Sequence, residues 1–70
     1  MRNAKFVRIL RGKSQFQVSL LTEIPSYRLS VIESGKVTPT EGELKRLAAA
    51  LDTTPENLLR EVPGDALLIA

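Results

Sequence analysis

Residues 14–35 read SQFQVSLLTEIPSYRLSVIESG, two helix-length segments on either side of a break at Glu23-Ile24-Pro25. Ser14 can cap the first segment, and Gln17, three residues on, can return a hydrogen bond to the Ser14 backbone, a capping box. Val18 and Leu21 then form the expected inward pair, while Phe16 and Leu20, four apart, point to nearly the opposite side. Pro25 disfavours an α conformation for Ile24 and is itself suited to a helix start, so the second segment is expected from about residue 25 to 33, with Ile24 plugging the core between the two. Gly35 is its natural left-handed terminator. If Leu29 and Ile32 face inward, a step of about 100° per residue sends Tyr27, Ser30, Val31 and Ser34 outward, with Ser26 and Arg28 on the flanks.

The flanking sequence supplies three more helices. NAKFVRILR, residues 3–11, carries Phe6, Ile9 and Leu10 at i, i+3 and i+4, with Lys5, Arg8 and Arg11 expected to turn away, and stops at Gly12. After a loop at Lys36-Val37-Thr38-Pro39, Thr40 and Glu43 repeat the capping-box logic. They open EGELKRLAAALD, whose Leu44, Leu47, Ala48 and Leu51 make a continuous apolar stripe. Thr54-Pro55-Glu56 gives an N-cap, a first-turn proline and a first-turn acid, so a fifth helix is expected to about Val62, ended by Pro63-Gly64. The last residues, DALLIA, are apolar without amphipathic period and are expected to pack on Phe16 and Leu20 or to pair with a second copy.

With 70 residues the chain is one small domain near the lower limit for folding on a hydrophobic core alone. It contains no cysteine and no histidine, which removes thiolate metal sites, disulfides and the commonest general base. Glu23, Glu33, Glu41 and Glu43 form no evident catalytic pair, and no glycine-rich phosphate loop is present. An enzyme is therefore not expected, nor a cofactor or metal. No apolar run is long enough to span a bilayer and no signal peptide is evident, so the protein is read as cytoplasmic, with no membrane partner.

Charge is lopsided. Residues 1–40 hold seven Lys and Arg against two Glu, or +5, whereas residues 41–70 hold three against six acids, or −3. A basic half suits a polyanion, because phosphate neutralisation releases condensed counterions. The same residues also fit the solvated faces of amphipathic helices.

These segments, in this order, amount to a helix-turn-helix with supporting helices. Ser14-Gln15, Ile24-Pro25-Ser26, Arg28-Leu29-Ser30, Ile32-Glu33-Ser34-Gly35-Lys36, Pro39-Thr40 and Leu47-Ala48-Ala50-Leu51 together resemble the Cro/C1-type (XRE-like) helix-turn-helix family of phage repressors and bacterial transcriptional regulators. The chain departs from the family pattern at Glu23, where glycine is usual, at Pro25, where Ser or Thr caps the helix, and at Lys13 and Ser19, where Leu and Ala are common. The resemblance implies an all-α, compact, five-helix lambda-repressor-like domain over residues 1–63, its motif at about 14–35, with 64–70 as a short apolar C-terminal extension.

It further implies sequence-specific binding of double-stranded DNA by a transcriptional regulator, with the recognition helix, about residues 25–33, in the major groove. A homodimer on a near-palindromic site is the expected form. Carried over by position, Gln15 falls at a phosphate or a base edge and Ser26, Tyr27, Arg28 and Val31 fall at the groove, with Lys36 and Thr38 placed for phosphates. Arg28 can donate to guanine or phosphate, the Ser26 and Tyr27 hydroxyls suit either, and Val31 suits a thymine methyl. Arg28 could instead pair with Glu33 or Glu23, and Arg8 with Glu33 or a phosphate. Glu33 is read as structural. The alternative use of such a fold is an antitoxin-like or adaptor module that binds a protein partner through Phe16, Leu20 and the C-terminal tail.

Overall fold

The structure is a computed structural model that describes residues 3–61. Within them lie five helices: α1 (Asn3–Leu10), α2 (Gln15–Thr22), α3 (Ser26–Ser34), α4 (Glu41–Ala50) and α5 (Pro55–Leu59). The expected C-terminal extension, residues 64–70, lies outside the described residues.

Local chemistry sets most boundaries. Ser14 Oγ accepts from Gln17 N–H at 3.1 Å and Gln17 Oε1 accepts from Ser14 N–H at 2.8 Å, so both halves of the first capping box are made. Thr40 and Glu43 form the second at 3.1 and 2.8 Å. Thr54 Oγ1 accepts from Asn57 N–H at 3.2 Å and Pro55 opens α5. Helices α1 and α3 are stopped by Gly12 and Gly35 at φ +70° and +85°. The turn after α2 uses Glu23 at φ 62°, a left-handed conformation in which a side chain costs about 1–2 kcal/mol.

The core joins Ala4 and Val7 of α1, Val18 of α2, Ile24 of the turn, Leu29 and Ile32 of α3, Leu47, Ala48 and Leu51 at α4, and Leu58 of α5. Helix α4 packs on α2, and α1 lies across α5 and α3. Arg46 Nε donates to Thr22 O at 2.8 Å, tying α4 to the end of α2, and Arg11 Nε donates to Leu51 O at 2.9 Å, tying α1 to the end of α4. These cations meet carbonyls that a helix end leaves unpaired.

The inward faces of two helices differ from expectation. On α1 the buried residues are Asn3, Ala4, Val7 and Arg8, whereas Ile9 and Leu10 are exposed. Arg8 turns inward because Glu33 awaits it there, and Asn3 because its Nδ2 donates to Asn57 O at 2.8 Å. On α2 the partner of Val18 is Thr22, fully buried, and Leu21 is 60% exposed. Thr22 is tolerated because its hydroxyl donates to Val18 O at 2.7 Å and accepts from Ile24 N–H at 3.3 Å, leaving no unpaired polar atom. Helix α5 ends at Leu59, short of Val62, with Arg60 in an extended conformation whose carbonyl accepts from Asn3 N–H at 2.7 Å.

Candidate nucleic-acid interface

Helix α3 is fixed from beneath and open above. Leu29 and Ile32 are each 1% exposed, so the helix cannot rotate without emptying the core. Its other side carries Ser26, Tyr27, Ser30 and Ser34, all exposed, with Val31 and Arg28 half-buried on the flanks. Tyr27 is 76% exposed. Of the expected outward set, Tyr27, Ser30 and Ser34 share this face, whereas Val31 lies half-buried at its flank and Ser26, expected there, is exposed. Lys36 and Thr38 follow it in the loop, both exposed.

Gln15 sits beside this face at the start of α2, half-buried, and its Nε2 donates to Glu33 Oε1 at 3.1 Å. Glu33 also receives Arg8 Nε at 2.7 Å and Nη2 at 3.2 Å, while Arg8 Nη1 donates to Lys13 O at 2.9 Å. Glu33 is therefore a joint for three helices, as its structural reading required. Arg8 is paired with it rather than directed to solvent. A crevice of about 290 Å³ opens between Lys5, Gln15, Ser30, Glu33 and Ser34, at the seam of α1, α2 and α3.

Neither expected partner of Arg28 is found on it. Its Nε and Nη2 donate to Glu43 Oε2 and Oε1, both at 2.9 Å. Those hydrogen bonds, with the Thr40 N–H bond next in weight, hold the Glu43 carboxyl down at about 2, and Glu43 in turn raises the Arg28 guanidinium. The glutamate is fifteen residues from Arg28 in sequence and reaches it only because the α3–α4 loop folds the start of α4 back beside α3. Glu43 was legible as a helix cap but not as an ion-pair partner.

Beyond this face, Phe16 and Leu20 of α2 are 66% and 67% exposed, and Leu21 stands next to them. Among the described residues no helix is long and apolar enough to cross a membrane, and no cluster of His, Cys, Asp or Glu could hold a metal.

Residues 5–58, more than three quarters of the chain, match the sequence model of a family described as Helix-turn-helix. No curated protein matches the chain.

Proposed function

The chain belongs to the Cro/C1-type helix-turn-helix family of DNA-binding transcription regulators, and from that premise we propose that it acts in the cytoplasm as a homodimer on a near-palindromic DNA site, each α3 lying in a major groove. Two copies of α3 would then stand about one duplex turn apart, roughly 34–36 Å. Doubling supplies the specificity that one small module with few base contacts lacks.

The observation that carries this reading is the two-sided character of α3: an immobile apolar floor beneath an exposed row of Ser26 and Tyr27 with Arg28 beside them. We assign Ser26, Tyr27, Arg28 and Val31 to base edges and Gln15, Lys36 and Thr38 to phosphates or sugar edges. Gln15 suits this role because Glu33 already orients its amide and its backbone lies at a helix N-terminus.

Selection of bound duplexes from a random pool tests the proposal. A palindromic consensus is expected, lost on Arg28→Ala and Tyr27→Ala with the helical content of the protein unchanged, and affinity should fall steeply with salt. Failure to enrich any sequence at low salt would overturn it. The exposed Phe16, Leu20 and Leu21 then favour the second reading, a protein-interaction module that presents this α2 face to a partner.

A further inference from the structure

The Arg28–Glu43 pair is arranged in a way that base readout can use. A guanidinium carries N–H donors on Nε, Nη1 and Nη2, and Glu43 occupies only its Nε–Nη2 edge, at 2.9 Å for each bond. Among the described residues nothing accepts from Nη1, so the Nη1–Nη2 edge is open. The carboxylate is itself held in place. Its Oε1 accepts from Thr40 N–H at 2.8 Å, and Thr40 Oγ1 accepts from Glu43 N–H at 3.1 Å, which anchors Glu43 to the first turn of α4. The two side chains also differ in shelter: that of Glu43 is 13% exposed and that of Arg28 31%. An anchored carboxylate thus grips one edge of a guanidinium that emerges beside the outer face of α3.

Resting on the DNA-binding reading above, we propose that Glu43 is a positioning residue for specificity, holding Arg28 by one edge so that its free Nη1–Nη2 edge forms a preset fork for the O6 and N7 atoms of a guanine. Arginine and guanine pair through two parallel bonds of this kind. A guanidinium fixed before DNA arrives gives up less rotamer freedom on binding. The carboxylate also cancels the charge of Arg28. The pair therefore adds little to sequence-independent attraction for phosphates and acts mainly on discrimination between bases.

That separation gives the test a signature that a merely structural tie would not produce. Glu43→Gln keeps an oxygen for Thr40 N–H, preserving the cap, but loses the charge and one acceptor for Arg28. Affinity is measured by fluorescence anisotropy for the duplex selected by the wild-type protein, for duplexes with each base pair replaced in turn, and for an unrelated duplex. Glu43→Gln should lose discrimination at one G·C pair by about tenfold, while the unrelated duplex binds equally or more tightly and helical content at the assay temperature is unchanged. In an Arg28→Ala background, Glu43→Gln should alter discrimination nowhere. Arg28→Lys, which leaves the cap intact and keeps the charge but cannot grip with one edge and read with another, should lose discrimination at the same pair. It keeps the proposal refutable should Glu43→Gln not fold. Equal weakening of all duplexes by Glu43→Gln, or full retention of discrimination in it or in Arg28→Lys, would overturn the inference. So would a wild-type consensus indifferent at every guanine to Arg28→Ala, with the DNA-binding reading left standing. A wild-type protein that enriches no sequence would remove both.

Discussion

Glu33 joins three helices through one buried carboxylate, and removing it should cost the protein a large share of its stability. Its carboxylate accepts from Arg8 Nε at 2.7 Å, Arg8 Nη2 at 3.2 Å and Gln15 Nε2 at 3.1 Å, and the side chains of Arg8 and Glu33 are only 10% and 5% exposed. Glu33→Ala leaves the guanidinium in that interior with a single carbonyl partner, Lys13 O. Breaking a buried pair from one side costs about 3–5 kcal/mol, because the surviving charge stays desolvated. At roughly 0.05–0.15 kcal/mol per residue, a 70-residue domain is stable by only about 3.5–10 kcal/mol. Urea unfolding followed by helical circular dichroism should therefore show Glu33→Ala losing about 3–5 kcal/mol, from a third of the stability to all of it, with Arg8→Ala close behind it. The double variant Arg8→Met, Glu33→Leu should recover most of the loss, since two apolar side chains of similar volume leave no charge behind. A cost for Glu33→Ala below about 1 kcal/mol, the level of an exposed pair, would refute the reasoning. A double variant less stable than either single one would refute it too.

Glu23→Gly should stabilise the protein by about 0.5–1 kcal/mol: relief of a left-handed side chain at φ 62° is worth about 1–2 kcal/mol, and the greater freedom of glycine in the unfolded chain returns about 0.4–1 of it. A lower urea midpoint at unchanged slope would contradict this. Acid should expose the Arg28–Glu43 tie. Glu43 titrates at about 2 in the fold against 4.5 for an ordinary glutamate, so its contribution is complete above about pH 4.5 and is lost as pH falls through about 2. Glu43→Gln should accordingly show a shallower fall in melting temperature across that window, and parallel curves for the two proteins would count against the pairing.

How much of this was legible in the sequence depended on the range of the interaction. Both capping boxes, the glycine stops and the α4 stripe are set by residues within four positions of each other, and they stand in the structure as the spacing predicted. The inward face of α2 was misread because a polar residue was not counted as core. Val18 pairs inward with Thr22 at i+4 rather than with Leu21 at i+3, and the threonine buries at little cost because its hydroxyl bonds within its own helix turn. Helix α1 failed in the same way. The helical period turns Arg8 away from the core, and only the alternative of a pair with Glu33 places it as the structure does: Ala4, Val7 and Arg8 form the stripe that meets the core, and Ile9 and Leu10 are left outside.

The charge pattern illustrates the limit for the site. The +5 excess of residues 1–40 suggested a basic surface, but much of it is turned to other uses. Arg8 is cancelled by Glu33 and Arg28 by Glu43, across 25 and 15 residues of sequence. Arg11 is directed to the carbonyls of Leu51 and Asp52. Lys5, Lys13 and Lys36 enter none of the ion pairs among the described residues. On the proposed interface, sequence-independent attraction for a duplex therefore falls chiefly to lysines, whose flexible stems suit a point contact with phosphate, while the arginines bear on geometry. The half-charge count was a fair indicator of polarity and a poor one of which cations are free, because pairing is decided by which helices the core brings together.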